Sequence, residues 1–154
     1  MCVENIVHES ILWIKLKNGI NDDNTDLYIG FVYIPHENNV FYKKNEIDLF
    51  SILIEDISMY KEKGCVIVSC DFNSRIGTLP DYIEHDVMGT EMSTFLSPVI
   101  DYKCDDPMYV RESQDTVVNS FGRKLLQLCR STCTRVSNGR TVADKKGRYT
   151  CKDS

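Results

Sequence analysis

Residues 64–77 read Gly64-Cys65-Val66-Ile67-Val68-Ser69-Cys70-Asp71-Phe72-Asn73-Ser74-Arg75-Ile76-Gly77 (GCVIVSCDFNSRIG), a largely β-branched apolar run that stops at an aspartate and an asparagine two residues apart. A short apolar run of this kind, bounded by turn residues, predicts a buried strand. In open α/β sheets, ligands bind beyond the carboxyl ends of such strands. If the extended backbone continued, Asp71 and Asn73 would project to one side and Phe72 would turn back to the core. A carboxylate and a carboxamide so placed can take a proton from water, hold a divalent cation or donate to a phosphate oxygen. The same tripeptide also reads as an Asx turn that simply ends a strand.

Working outward, the flanking segments complete a βαβ pattern. Residues 10–17 (SILWIKLK) and 26–34 (DLYIGFVYI) are β-rich and separated by the turn-rich 18–24, which predicts an antiparallel hairpin. From Asn45 the period changes: Ile47, Phe50, Leu53, Ile54, Ile57 and Tyr60 recur at helical spacing, with Asn45 available as N-cap and Gly64 as terminator. Strand, helix and strand in this order predict a crossover unit with one face of a sheet covered by the helix. Residues 78–112 hold three of the four prolines and no sustained period, so they read as a long irregular excursion. Residues 119–132 return to a helical pattern. A short strand is expected at 134–137, a turn at Asn138-Gly139-Arg140, and an extended piece at 147–151.

Composition bounds the function. The 154 residues are 42% hydrophobic and 10% aromatic, the balance of one globular domain spanning 1–154. No apolar run is long enough to cross a bilayer and residues 1–5 lack the basic and apolar pattern of a leader, which predicts an intracellular protein of nucleus or cytoplasm with no membrane partner. The seven cysteines are odd in number and contain no Cys-x-x-Cys pair, so neither a disulfide framework nor a zinc ribbon is expected. Cys129 and Cys133 read as small apolar core residues. Net charge is −5, but it is unevenly placed: residues 1–110 hold 8 Lys+Arg against 19 Asp+Glu, and residues 111–154 hold 10 against 4. Arg111, Arg123, Lys124, Arg130, Arg135, Arg140, Lys145, Lys146 and Arg148 therefore offer either one basic face for nucleic acid or ordinary solvated charge. Nothing in the sequence indicates an oligomer.

Three stretches carry a resemblance: Tyr33-Ile34-Pro35, the run from Val66 to Gly77, and Asn119 to Cys129 taken with Asn138-Gly139-Arg140, Gly147 and Tyr149-Thr150-Cys151. Together they resemble the endonuclease/exonuclease/phosphatase superfamily, and within it the endonuclease-like domains of non-LTR retrotransposons. The resemblance implies a four-layered α/β sandwich, of which this chain would be a part, and Mg²⁺-dependent hydrolysis of a phosphoester, with DNA as the partner of the intact parent. It implies that Asp71 activates or positions the attacking water, that Asn73 orients it and touches the phosphate, and that the Tyr33 hydroxyl contacts phosphate. His36 and Arg75 are the accompanying substrate-binding candidates. Without the resemblance, Tyr33 reads equally as a core tyrosine and His36 as a surface-loop histidine. Arg111, Ser113 and Asp115 resemble a segment of the retrotransposon-type members and read as loop-fixing.

The chain also departs from the pattern. The family's metal-binding glutamate lies upstream of the segment matching 10–17, and Glu4, Asn5 and Glu9 sit in a different local context, so no metal ligand is assigned. The family's late Ser-Asp-His motif has no counterpart, since His8, His36 and His85 all precede it. Cys70 replaces the glycine before Asp71, placing a side chain beside the candidate site. General acid–base and metal contributions are each commonly worth about 10²- to 10⁴-fold. The expectation is a nuclease-type fragment with little or no activity. The alternatives are a non-enzymatic remnant that binds nucleic acid or protein, and a phosphatase on the same scaffold.

Overall fold

The structure, a computed structural model, describes residues 6–8, 10–17, 25–44, 47–83 and 110–148. These form a mixed α/β unit in the order β1 (Ile6–His8), β2 (Ile11–Leu16), β3 (Asp26–Tyr33), α1 (Val40–Lys44), α2 (Leu49–Lys61), β4 (Gly64–Asp71) and α3 (Ser120–Thr132), followed by a 3₁₀ turn at Val142–Asp144. The sheet order is β1-β2-β3-β4. β1 and β3 both pair antiparallel with β2, while β4 joins β3 in parallel. The hairpin and the β3-α2-β4 crossover read from the sequence are both present.

Register decides the faces. Trp13, Gly30 and Val68 stand in one row, flanked by the rows Ile11, Val32, Cys70 and Lys15, Tyr28, Val66. The apolar side chains of this face pack beneath α2, whose Leu49, Phe50, Leu53, Ile57 and Tyr60 are buried as the helical spacing requires. Tyr60 lies 4.7 Å from both the Trp13 and Tyr28 rings. Gly30 has a plain reason: a Cβ there would come within 2.8 Å of the Trp13 ring. α3 packs on α2 through Phe121, Leu125, Leu126, Leu128 and Cys129, with Phe121 edge-on to Phe50 at 5.5 Å.

The opposite face of the sheet carries Leu12, Phe31 and Ser69 in one row and Ile14, Ile29 and Ile67 in the next, with Tyr33 beside Asp71 at the end. Phe31, Tyr33 and Ile67 are 46%, 52% and 54% exposed, so among the described residues this apolar face has little cover.

Several local expectations are corrected. α2 is capped by Asp48, whose carboxylate accepts from the Phe50 amide at 3.2 Å; Asn45 lies outside the described residues. The helix closes at Glu62, and Gly64 opens β4 instead of ending α2. Residues 134–137 are not a strand. Their Val136 amide donates to the Asp81 carboxylate at 2.7 Å, a partner outside any ladder. Cys129 is buried in the core, but Cys133 is exposed as the left-handed C-cap of α3 (φ 50°). Burial pushes the Cys129 thiol up to about 11, so at neutral pH it is a neutral apolar side chain. Glu4, Asn5, Glu9, His85 and 149–151 lie outside the described residues.

Candidate active site at the end of strand β4

Two adjacent parallel strands end together. Tyr33, the last residue of β3, is the register partner of Asp71, the last of β4, and both side chains are exposed on the sheet face away from α2. Pairing continues one step further, where the Ile34 amide donates to the Asp71 carbonyl at 2.9 Å. Tyr33 is thus a surface tyrosine, and the core alternative does not hold.

Asn73 departs from the extended reading. Its φ is +47°, in the left-handed region that asparagine tolerates better than most residues. Its amide N–H donates to Asp71 Oδ1 at 3.1 Å, which closes an Asx turn. The turn breaks the two-residue alternation, so Asp71 and Asn73 do not project as a strand pair. The Asn73 carboxamide reaches back across the sheet end and donates from Nδ2 to the Ile34 carbonyl at 2.8 Å. Phe72 does turn inward, stacking on Phe50 with ring centroids 6.2 Å apart.

The turn is held from the far side by α3. Asn119, its N-cap, accepts from the Gly122 amide at 2.7 Å and the Arg75 amide at 3.0 Å, and donates from Nδ2 to the Asn73 carbonyl at 3.1 Å. Gly122 is required by this approach, because a Cβ would sit 1.8 Å from the Arg75 carbonyl oxygen.

The remaining candidates fall in different places. Arg75 clamps Asp115 with Nε and Nη2 at 2.9 and 2.7 Å, so its guanidinium is committed to the loop before α3. Asp115 also accepts from the Val117 amide, and the Arg75 hydrogen bonds hold its carboxyl below the usual carboxylate range. Ser113 and Asp115 thus have the loop-fixing geometry read from the sequence. His36 lies exposed in the turn after β3, where its Nδ1 accepts from the Asn38 amide at 3.4 Å. Cys70 faces the helices, away from Asp71, and packs against the core. Burial, then the Asp71 charge, push its thiol well above the ordinary range. The concern that it crowds the candidate site is therefore removed. The larger described cavity, about 310 Å³, is lined by Tyr42, Asp48, Phe50, Phe121 and Lys124, and includes none of the strand-end residues.

Chemically, the strand end offers the Asp71 carboxylate, which can accept a proton, the Tyr33 hydroxyl, which can donate to an anionic oxygen, and the Asn73 carboxamide, which keeps one N–H and its oxygen beyond the bond to Ile34. These residues do not by themselves make an Mg²⁺ site. That ion wants near-octahedral oxygen ligands, and of the three strand-end candidates Tyr33, Asp71 and Asn73 only Asp71 is a carboxylate. Among the described residues no group of three His, Cys, Asp or Glu side chains is gathered as a metal site.

Two of the late basic residues are turned inward and leave any basic face the others make. Arg111 is 8% exposed, and Arg140 is turned onto the fully buried Asp81 with both contacts at 2.6 Å. Sequence patterning missed this Asp81–Arg140 pair, because its partners are 59 residues apart and nothing local marks Asp81 as internal. No helix among the described residues is long and apolar enough to cross a membrane.

No family model, curated protein or solved structure matches the chain.

Proposed function

We propose that the chain is a phosphoesterase-type domain of the endonuclease/exonuclease/phosphatase kind. Its site is the β3–β4 strand end, its chemistry hydrolysis of a DNA phosphodiester with Mg²⁺ as cofactor, and its own 154 residues are insufficient for turnover. The observation that carries the reading is the pairing of Tyr33 with Asp71 on adjacent parallel strands, with Asn73 bonded across the same rim to Ile34. In this arrangement Asp71 would take the proton of an attacking water and Tyr33 would donate to a phosphate oxygen. Weak catalysis would follow from the donor set: Asp71 alone is a poor seat for Mg²⁺, and the bond to Ile34 leaves Asn73 one N–H and its carbonyl oxygen for water. The sparse donor set favours, as second reading, a remnant that binds nucleic acid without cutting it.

Supercoiled plasmid with Mg²⁺ is the test, run beside Asp71→Asn and an EDTA control. Nicking by the folded wild-type chain is expected to stay at background. Nicking abolished in both controls would mean that the site is complete, whereas metal-dependent nicking that survives Asp71→Asn would sink the assignment of the strand end.

The sandwich belongs to the same proposal. A sheet with helices on one face and Leu12, Ile14, Ile29, Phe31 and Ile67 on the other has a second face that needs cover. A second sheet there would give the four-layered form. Ile67→Ala is then expected to cost about 2 kcal/mol, the scale of a buried aliphatic truncation. A solvated isoleucine would cost within about 0.5 kcal/mol, and a urea midpoint showing that smaller change would refute the covered face.

A further inference from the structure

A second, smaller cavity lies away from the strand end. It measures about 180 Å³ and is lined by Thr78, Pro80, Tyr82, Val110, Arg111 and Arg140 among others. Two guanidinium groups thus share one wall with one buried carboxylate in reach, and that carboxylate, Asp81, is already gripped by Arg140 through both oxygens. Arg111 has only neutral partners among the hydrogen bonds described: it donates to the carbonyls of Gly77 and Leu79. Its Nε is buried and has no acceptor.

That combination is unusual for a closed structural pair. A buried cation without its own anion carries a desolvation cost of several kcal/mol, and a buried N–H without an acceptor adds to it. Burial works against protonation of Arg111; the nearby Asp81 charge opposes that effect and the Arg140 charge adds to it, and the balance stays below the ordinary arginine value. Around the cavity Arg130 is also close, donating to the Pro80 carbonyl at 2.8 Å. The mouth is solvent-exposed, with Val110 70% exposed and Leu79 37%.

We propose that this cavity is a phosphate-binding site, in which an oxyanion lodges against the guanidinium groups of Arg111 and Arg140 and balances the charge that Asp81 alone does not match. Arginine suits the role because its planar fork matches phosphate oxygens. The proposal is independent of the strand-end reading, since it holds whether or not Asp71 and Tyr33 take part in hydrolysis. The phosphate comes either as the free ion or as a backbone phosphate of a nucleic-acid strand, and the two share the same recognition.

Titration calorimetry on the full chain separates them, with one arm using inorganic phosphate and the other a single-stranded oligonucleotide lacking terminal phosphate, both against chloride at equal ionic strength. One saturable site in the phosphate arm supports the free ion, and one in the oligonucleotide arm alone supports the backbone source. Binding is expected to weaken at least tenfold in Arg111→Lys. Because that variant could loosen the 77–79 loop, Val110→Glu provides a second reading: it places a carboxylate at an exposed position of the mouth and is expected to abolish binding with the far-UV spectrum unchanged. Saturable binding in neither arm overturns the proposal. So does binding that survives Val110→Glu but is lost in Asp71→Asn, which would place the phosphate at the strand end.

Discussion

Asp81→Asn is expected to lower stability by about 3–5 kcal/mol at pH 7, the scale seen when one partner of a buried ion pair is removed. The side chain is fully buried and does three things at once: Oδ2 accepts from Val136 N at 2.7 Å and from Arg140 Nη1 at 2.6 Å, while Oδ1 accepts from Arg140 Nη2 at 2.6 Å. A carboxamide of the same shape keeps at most one acceptor and turns an NH₂ toward a guanidinium. Arg140 would then be left close to Arg111 with no carboxylate between them. The pH dependence gives an independent check. Burial alone would raise the Asp81 pKa, but the hydrogen bonds from Arg140 and Val136 outweigh it and hold the carboxyl below its ordinary value. A folded value below the unfolded one, about 3.9, means that the contribution is fully present above the unfolded value. It is lost as pH falls through the folded one. Urea midpoints of wild type and Asp81→Asn should therefore differ at pH 7 and 5, and the gap should narrow as pH falls below the unfolded value. A difference under about 1 kcal/mol at pH 7 would show that the pair is hydrated and contributes as a surface bridge does.

That pair also marks where the sequence stops being readable. The amphipathic spacing of 47–60 located α2 and the helical pattern of 119–132 located α3, because those signals are local and repeat, whereas the Asn119 cap was not read from the sequence. The β2–β3 hairpin and the parallel β4 followed from β-branched runs and a helix between them. α1, five residues long, is too short to show a period. The strand expected at 134–137 fails because Val136 finds a carboxylate 55 residues away, and no window of sequence holds that information. The inward turn of Arg111 and Arg140 is hidden for the same reason. At the candidate site, Asp71 and Tyr33 were legible as residues at strand ends, and register places them side by side. Asn73 shows the Asx turn that the tripeptide allowed, and the direction of its carboxamide was set by the Ile34 carbonyl, a contact across 39 residues.

Trp13→Ala is expected to cost about 3–5 kcal/mol, the range for truncating a large buried aromatic. Trp13 is 2% exposed and lies at the centre of the sheet's inner face, between Gly30 on one side and the Tyr60 ring at 4.7 Å on the other. Gly30 leaves room for the indole, so an alanine at 13 would leave two small residues side by side in adjacent strands and a void that neither can fill. The indole N–H adds a separate contribution, donating to Asp56 Oδ2 on α2 at 2.8 Å. Trp13→Phe isolates it: much of the volume stays, the bond to the carboxylate goes, and the expected cost is about 1.5–3 kcal/mol. Since Trp13 is the single tryptophan, unfolding of all three proteins should be followed by far-UV circular dichroism in urea, with indole fluorescence as a second probe of the wild type. Equal costs for the two variants would mean that the Asp56 bond, and not the packing of the ring, holds β2 to α2. A ratio near two or above puts the larger share in the void beside Gly30, and Gly30→Ala, whose new methyl would meet the Trp13 ring at 2.8 Å, should then be tolerated better in Trp13→Ala than in wild type.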